Sequence, residues 1–167
     1  MNIFETERLI IRPFQKTDLN NLHKLLSSPE AMKYYPSLLN RKETKEWIKR
    51  NWKRQNNTGH SLWAIIRKSD KAFIGQCGLV KQNVEGKEMI EVGYMIRNDC
   101  WRQGYALEAV RGVLSYAFNK LKINEVIALI DPLNEPSKQL AIRSGFSEKK
   151  QVHMWNKNTT LFVKSNK

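Results

Sequence analysis

Residues that build metal centres and disulfide frameworks are scarce in this sequence. Its 167 residues include only two cysteines, Cys77 and Cys100, and three histidines that lie far apart in the chain. Two cysteines are too few for a four-cysteine metal cage, and scattered histidines argue against a zinc site, so we expect no metal centre. A chain of this length buries about 70% of the surface that it exposes when unfolded, so its fold needs neither a structural metal nor disulfide bonds for stability.

Long hydrophobic runs are also lacking. The longest, such as 62–66 and 126–130, have five residues each, whereas a membrane-spanning helix needs about 20. Residues 1–7 contain neither the basic n-region nor the apolar h-region of a secretion signal. The sequence therefore predicts a protein without a membrane partner that works in the cytoplasm, where both cysteines are free thiols.

Acidic residues are fewer than basic ones: the sequence has 16 Asp and Glu but 29 Lys and Arg, which gives a net charge of +13. Such a charge attracts nucleic acid, acidic membranes or a polyanionic cofactor, and it fits a solvated basic surface equally well. The densest basic segment, 41–54, holds seven basic and two acidic residues. Thr44, Trp47, Ile48 and Asn51 recur there at helical spacing. We expect an amphipathic helix whose Trp47 and Ile48 pack on the core while its lysines face water.

Hydrophobic periodicity divides the rest of the chain into short strands and helices. Apolar runs predict strands over 9–12, 62–66, 73–80, 89–96, 126–130, 146–154 and 159–164. Helical spacing predicts further helices that begin after Asp18 or Thr17 as the capping residue, after residue 103, and over 135–144. No linker or internal repeat interrupts this order, so we expect one domain over residues 1–167, an α+β or mixed α/β chain with one central sheet.

Residues 101–109, with the sequence WRQGYALEA, lie between a predicted strand and the predicted helix with the strongest apolar stripe. Gly104 allows close approach of the backbone, and Ala106 keeps a neighbouring position small. The first amides of the following helix have no acceptor within the helix, the helix dipole favours an anion there, and Arg102 adds a cation. The segment is therefore able to bind a pyrophosphate, although it is neither a P-loop nor a dinucleotide-binding glycine fingerprint.

A second segment, DPLNEPSKQLAIRSGF at 131–146, follows a buried strand and opens another helix. Together the two segments resemble the GNAT superfamily of CoA-dependent N-acetyltransferases. The first is similar to its Q/R-x-x-G-x-G/A pyrophosphate loop, and the second to its Asn-x-x-Ser…Gly-Phe signature. EVGY at 91–94 is similar to the strand before the loop, and TERLIIRP at 6–13 to the start of the RimJ/RimL-type branch, which includes ribosomal-protein N-terminal acetyltransferases. Two positions depart from the pattern, because Trp101 stands where the superfamily has Gln or Arg, and Arg102 where this branch often has Gly.

The resemblance implies a GNAT-like acyl-CoA N-acyltransferase fold, with a central, mostly antiparallel twisted sheet of about six to seven strands flanked by about four helices. It implies acetyl-CoA as the acetyl donor, with the pantetheine arm along the backbone of Met95 and Ile96. Asn134 would contact that arm or fix the turn as a helix cap. The pyrophosphate would be bound by the backbone amides of the loop, which are those of Arg102, Gln103, Gly104, Tyr105 and Ala106.

Catalytic roles are implied by the same resemblance. Ser137 matches a proposed general acid that protonates the departing thiolate, although a thiol with a pKa of about 8.5 also leaves unprotonated. Glu91 is our candidate for the base that accepts the amine proton, directly or through water, and a salt-bridged surface role fits the sequence equally well. A strand amide near Tyr94 to Ile96 would stabilise the oxyanion while the neutral amine attacks the thioester directly.

The sequence leaves the acceptor amine open. A terminal α-amine, with a pKa of about 7.7–8.0, needs less help from a base than a lysine at about 10.4, which favours an α-amine acceptor. The resemblance to the RimJ/RimL-type branch implies that this α-amine is a protein N-terminus of the ribosomal type. One alternative is a small amine, such as a polyamine, an amino acid or an aminoglycoside, attracted by the acidic run of Glu85, Glu88 and Glu91. Another is a basic nucleic-acid-binding module without catalysis. We expect residues 28–54 and 146–163 to select the acceptor, the protein to be a monomer or homodimer, and its basic surface to suit association with the ribosome.

Overall fold

One eight-stranded sheet organises the computed structural model, which describes all residues from 1 to 167. The strands are β1 (Phe4–Glu5), β2 (Leu9–Arg12), β3 (Leu62–Arg67), β4 (Phe73–Val84), β5 (Lys87–Ile96), β6 (Glu125–Ile130), β7 (Ser147–Met154) and β8 (Lys157–Ser165). They lie in the order β1-β2-β3-β4-β5-β6-β8-β7. Every neighbouring pair is antiparallel except β5 and β6, which are parallel.

Four α-helices cover the two faces of this sheet, and they are α1 (Leu19–Leu26), α2 (Arg41–Thr58), α3 (Tyr105–Ser115), continued by a π-helical turn over Tyr116–Lys120, and α4 (Glu135–Arg143). Leu22 of α1 and Ile48 of α2 pack in a core cluster with Ile66 on one face. Val110 of α3 shares a cluster with Ile65 on the other. Because side chains alternate along a strand, β3 is buried on both faces, which confirms the expectation from its continuous apolar sequence.

The predicted strands and helices are all present, with changes at their ends. An eighth strand, Phe4–Glu5, pairs with β2 and is too short to show in the hydrophobic pattern. β7 and β8 are joined by a two-residue turn at Trp155 and Asn156, whose φ values of 52° and 59° suit the twist of a tight hairpin. β8 therefore begins at Lys157 rather than at residue 159.

Asp18 occupies the N-cap position of α1, which the sequence assigned to Asp18 or Thr17, but it does not cap that helix through its side chain. Asp18 ends a short 3-10 turn before α1, and its side chain makes no capping hydrogen bond to that helix. Its carboxylate instead accepts two hydrogen bonds from the Arg12 guanidinium, at 2.8 and 2.9 Å, and one from the Gln15 amide at 2.7 Å. A bidentate pair with arginine is stronger than a hydrogen bond from a neutral amide, so the carboxylate binds Arg12 rather than the first amides of α1.

The parallel strands β5 and β6 separate soon after they meet. Glu91 and Ile127 are their one registered pair, whereas β5 continues to Ile96 and β6 to Ile130. Beyond this pair, the facing edges of the two strands have no strand partner, and the chain leaves their carboxyl ends to enter α3 and α4. Ligands of open sheets bind at the carboxyl ends of parallel strands, so this separation locates the candidate site.

Replacement of Asp18 by Asn tests the buried ion pair. Asn keeps the shape and an acceptor for Gln15, but it removes the counter-charge of Arg12, whose side chain is 17% exposed. We expect the free energy of unfolding in urea to fall by about 2–3 kcal/mol, because charge-assisted hydrogen bonds are lost where little water replaces them. Asp70→Asn is the matched control: it also breaks a bidentate pair, with Arg67, but the Asp70 side chain is 50% exposed. Because water screens this exposed pair, we expect a much smaller loss than for the Asp18 variant, and equal losses would contradict the role of burial.

Candidate active site

The loop between β5 and α3 presents a run of amides without protein acceptors. Gly104 precedes α3 with a φ of +82°, and Arg102 has a φ of +62°. The first hydrogen bond of the helix runs from the Glu108 amide to the Gly104 carbonyl at 3.0 Å, and the amides of residues 102–107 donate to no group of the protein. Such amides at a helix N-terminus bind anions, so the loop has the donors that a pyrophosphate needs. They include the five predicted from the sequence, those of Arg102, Gln103, Gly104, Tyr105 and Ala106.

Arg8 holds this loop from the other end of the chain. Its Nη1 donates to the Gln103 carbonyl at 2.9 Å, its Nε pairs with Glu108 at 2.7 Å, and its guanidinium lies 4.3 Å from the centre of the Tyr105 ring. Burial acts to raise the pKa of Glu108, but hydrogen bonds from Thr6 and Arg8 outweigh it and lower that pKa, so the carboxylate stays charged. Sequence reasoning missed Arg8 and Glu108 as site residues, because no spacing signal joins positions about a hundred residues apart.

Trp101 and Arg102, the two departures from the superfamily loop pattern, differ in their contacts. The indole N–H of Trp101 donates to the Ile96 carbonyl at 2.7 Å, which ties the loop to the end of β5. The side chain of Arg102 is exposed and makes no hydrogen bond with the protein, so it is free to reach an anion at the loop. Neither departure removes the unpartnered amides.

The edge of β5 that faces β6 offers backbone groups at the centre of the opening. The Arg97 amide donates to the Ile74 carbonyl at 2.8 Å, and hydrogen bonding alternates along an antiparallel strand. The backbone of Met95 therefore faces β4, whereas the amides of Tyr94 and Ile96 face the open edge. The side chains of Met95 and Ile96 are both buried in the core. Of the two residues predicted to pair with the pantetheine arm, Ile96 has its amide on the accessible edge and Met95 does not.

Two hydroxyl groups meet at the start of α4. Tyr94 Oη donates a hydrogen bond to Ser137 Oγ at 2.6 Å. Asn134 caps α4, because its side-chain oxygen accepts from the Ser137 amide at 3.3 Å, and this fixes Ser137 in the first turn. Burial raises the pKa of Tyr94 more than the bond with Ser137 lowers it, so the phenol keeps its proton. Since Ser137 Oγ accepts from Tyr94, its own proton is free to be donated elsewhere.

Glu91 lies on the opposite face of β5 from Tyr94, because the two residues are three apart along the strand. Burial raises the pKa of Glu91 to about 7, and the hydrogen bond from Gln82 Nε2 to Glu91 Oε1, at 2.9 Å, opposes this only in part. Its hydrogen-bond partner is thus an amide rather than a cation. A carboxyl group with this pKa can take up and release a proton near neutral pH. The residues predicted as acid and base therefore flank the open edge of β5 from its two sides.

The segments expected to select the acceptor meet at the same opening. Tyr34, between α1 and α2, donates from its hydroxyl to the Leu133 carbonyl at 3.1 Å. Lys157, from the β7–β8 hairpin, donates to the Tyr34 carbonyl at 2.9 Å and pairs with Asp131 at 2.8 Å, and its hydrogen bond lowers the pKa of Asp131. These contacts join the 28–54 and 146–163 segments to the loop before α4. The sequence named the segments but not these residues.

Tyr35 lies beside Tyr34 at the mouth of the opening. Burial raises its pKa, and the negative charge of Glu91 raises it further. The residue is nevertheless 46% exposed. Its phenol is therefore a neutral, solvent-accessible group near the candidate base, in a position to contact an acceptor.

Comparison with known proteins shows the family. The sequence model of the acetyltransferase (GNAT) domain matches residues 8–147. The uncharacterized protein YkkB of Bacillus subtilis (strain 168) is 37% identical over 160 residues, which cover 94% of this chain and 92% of YkkB. RimL, a ribosomal-protein alpha-N-acetyltransferase solved with coenzyme A, has a TM-score of 0.83 at 14% identity, over 99% of this chain and 98% of its own. A chimeric spermidine N-acetyltransferase from Vibrio cholerae and hSSAT has a TM-score of 0.77 at 18% identity, over 95% of this chain and 96% of its own.

At such identities the two solved structures show the fold, and they confirm the predicted GNAT-like sheet and helices. The match to the domain family spans most of the chain. That match agrees with the amide-rich loop before α3 and with the open edge of β5. The chain belongs to the GNAT acetyltransferase family and is an N-acetyltransferase.

Proposed function

We propose that the protein transfers the acetyl group of acetyl-CoA to the α-amine of a protein N-terminus, of the ribosomal-protein type. The position of Glu91 on β5 beside the open edge, with the Gln82 amide rather than a cation as its hydrogen-bond partner, is the observation that carries this proposal. Burial there raises the pKa of Glu91 to about 7. An acetyl acceptor must attack as an uncharged amine. The acidity of its ammonium form therefore decides how strong a base the enzyme needs.

Glu91 matches an α-amine better than an alkylamine. An α-ammonium group has a pKa of about 7.7–8.0, whereas a lysine ammonium lies at about 10.4 and other alkylammonium groups are similar. With Glu91 at about 7, proton transfer costs ~1 kcal/mol from an α-ammonium group and ~5 kcal/mol from an alkylammonium group, at about 1.36 kcal/mol per pKa unit. The site is therefore suited to the more acidic amine.

The charges near the opening argue against a polyamine acceptor. The acidic run predicted to attract one is neutralised, because Glu85 pairs with Lys150 at 2.6 Å and Glu88 pairs with Lys81 at 3.5 Å. Glu91 is left as the one member of the run without a basic partner. A protein of net charge +13 repels a polycation unless its site is strongly acidic, and a single carboxyl with a raised pKa does not supply that.

The residues present fit the acetyl donor. The amides of residues 102–107 and the cations of Arg8 and Arg102 suit the phosphates of CoA, and the open edge of β5 suits an amide-bearing arm laid beside it. When bound, acetyl-CoA supplies a thioester carbonyl with a thiolate as its leaving group. The loop is held in a binding conformation before any ligand arrives, since Arg8 fixes both Gln103 and Glu108.

Three groups of the chain divide the chemistry. Glu91 accepts a proton from the incoming ammonium group, which makes the amine nucleophilic. An outward-facing amide of β5, at Tyr94 or Ile96, donates to the carbonyl oxygen as negative charge develops there. Ser137 donates its proton to the departing sulfur, and Tyr94 positions Ser137 by a 2.6 Å hydrogen bond. Because a thiolate is a fair leaving group unaided, loss of Ser137 slows the reaction without abolishing it.

From the sequence we also predict a single domain, a cytoplasmic location, a monomer or homodimer, and association with the ribosome. In the structure, none of the helices has the length and apolar character needed to cross a bilayer. The basic segment 41–54 lies within α2, as expected of an amphipathic helix.

Gly104→Glu tests the cofactor loop. The substitution places a negative charge among the amides of residues 102–107, so we expect acetyl-CoA affinity in isothermal titration to fall at least a hundredfold. Gly86→Glu is the matched control, because Gly86 has nearly the same φ, +83° against +82°, but lies in the β4–β5 turn with open space around it. It carries the same charge and similar backbone strain and should keep the affinity of the wild type. Retained binding by Gly104→Glu would contradict the assignment of the loop.

Glu91→Gln tests the base through pH. We expect wild-type kcat/KM to fall as pH drops through about 7, where Glu91 gains a proton, and the variant to lose both activity and that ionisation.

Thermal stability gives an independent check of the Glu91 pKa. The pKa of Glu91 in the folded protein, about 7, lies above its ordinary value of 4.5. Between these two pH values the folded state binds more protons than the unfolded state, so wild-type stability falls as pH rises through this range. The variant should gain in Tm over the wild type mainly above pH 7, whereas Glu88→Gln, on the exposed part of β5, should not.

Acceptor preference distinguishes the two classes of amine. We expect lysine-free peptides with a free α-amine to be acetylated with a kcat/KM at least about a hundredfold above that of spermidine or of Nα-blocked lysine peptides, in line with their pKa difference of about 2.5 units. Mass spectrometry of the products locates the acetyl group. Faster turnover of spermidine than of every free N-terminus would overturn the proposal while leaving the family assignment intact.

A further inference from the structure

The outer face of α2 carries a stripe of lysines that nothing in the cofactor site requires. Lys42, Lys45, Lys49 and Lys53 are all exposed, and at 100° per residue they fall within one narrow sector of the helix. The opposite sector is buried and consists of Thr44, Ile48 and Asn51. α2 packs on the sheet face opposite to α3. This lysine stripe therefore points away from both the sheet and the cofactor loop.

The charges of the lysine stripe are not neutralised within the protein. None of the nine ion pairs of the structure includes a side chain of α2. Arg41 bonds the neutral Asn20 instead. Of the two acids on the helix, Glu43 is engaged in the capping box with Asn40, which leaves Glu46 alone on the exposed face. The net charge of +13 is thus concentrated in part on one helix surface.

This arrangement lowers the stability of the helix that carries it. Lys45, Lys49 and Lys53 follow one another at i, i+4 spacing, where like charges repel. Arg41 and Lys42 stand in the first turn, at the positive end of the helix dipole, and the last turn has no basic residue. Folding alone would favour the reverse placement, so the stripe has the features of a surface kept for an external anion.

The aromatic residues of α2 show which kind of anionic surface fits. A helix that binds a membrane inserts apolar side chains between the lipids. In α2 the indole N–H groups of Trp47 and Trp52 are turned inward, to Gln76 at 3.0 Å and to the Phe14 carbonyl at 2.6 Å. The exposed face offers charge without apolar anchors. Lys42 and Lys53 are eleven residues apart, about 16 Å along the axis, a span that several successive phosphates of a nucleic-acid strand occupy.

We propose that the lysine stripe of α2 is a docking surface for the phosphate backbone of RNA. The contact is electrostatic and independent of base sequence, because lysine ammonium groups reach phosphates from the solvent side of the helix. We choose RNA rather than DNA as the polymer that supplies the phosphates, because an enzyme acting on proteins of the ribosomal type works beside RNA. In this choice the inference rests on the proposed function. The RNA surface and the cofactor loop lie on opposite sheet faces, so each can be tested without the other.

The test is fluorescence anisotropy of a labelled single-stranded RNA of about 20 nucleotides, titrated with protein between about 50 and 200 mM salt. We expect the triple variant Lys45→Gln, Lys49→Gln, Lys53→Gln to lose at least about tenfold in affinity and to reduce the slope of log K against log salt by about 2, since each lysine neutralises one phosphate. The matched control is Lys87→Gln, Lys120→Gln, Lys149→Gln, which takes three exposed lysines from other elements and gives the same net charge of 13 − 3 = +10. It should keep the affinity and slope of the wild type.

Two further readouts separate this proposal from its competitors. The α2 variant should have a higher Tm than the wild type, because repulsion along the helix is relieved, and unchanged acetyl-CoA affinity, so lost RNA binding cannot be ascribed to misfolding or to failure of the cofactor site. Equal losses in both triple variants would overturn the proposal in favour of net charge. Tighter α2-dependent binding of single-stranded DNA than of RNA, or equal or tighter binding of a poly-glutamate of the same length, would overturn it in favour of that polymer.

Discussion

The separation of β5 from β6 after the Glu91–Ile127 pair is the constraint on which the rest of the site depends. It leaves the amides of Tyr94 and Ile96 facing an open edge, where a continuous parallel ladder would have used them. It also lets the chain enter α3 and α4 from neighbouring strand ends, so that two helix N-termini point toward one opening. Outward-facing backbone donors, the loop of unpartnered amides and the capped Ser137 are thus brought together because β5 and β6 stop pairing.

A site built on a loop and an open edge needs support from elsewhere in the fold. Arg8 supplies it for the cofactor loop, with hydrogen bonds to Gln103 and Glu108 and a stacked contact with Tyr105. Asn134 supplies it for Ser137, through the cap of α4. These polar, partly buried contacts fix the positions of the donors and acceptors of the site. Ordering those groups therefore costs less free energy when a ligand binds.

The sequence predicted the layout of the fold well because its strands and helices have clear hydrophobic periods, as the continuous apolar run of β3 shows. It also drew attention to residues 102–107, through Gly104 before an amphipathic helix, and the structure leaves the amides of this loop without protein acceptors. It failed where a contact depends on tertiary structure. The spacing gave no reason to expect Arg12 to take the carboxylate of Asp18, Tyr94 to meet Ser137, or burial to raise the pKa of Glu91. Each of these depends on which elements become neighbours, and a one-dimensional pattern does not contain that information.

The distribution of charge bears both on the acceptor in the cleft and on the exposed surface of α2. Net charge alone favoured nucleic acid, cofactor and solvated surface equally, but the structure divides it: acids near the β4–β5 turn are paired, whereas the lysines of α2 are not. A strongly basic protein attracts a polyphosphate donor and repels a polycationic acceptor. In the proposed reaction, a carboxyl with a pKa of about 7 suits the deprotonation of a weakly basic α-amine. The same excess of positive charge that disfavours a polyamine in the cleft is what we propose attracts a phosphate backbone to α2 on the opposite face.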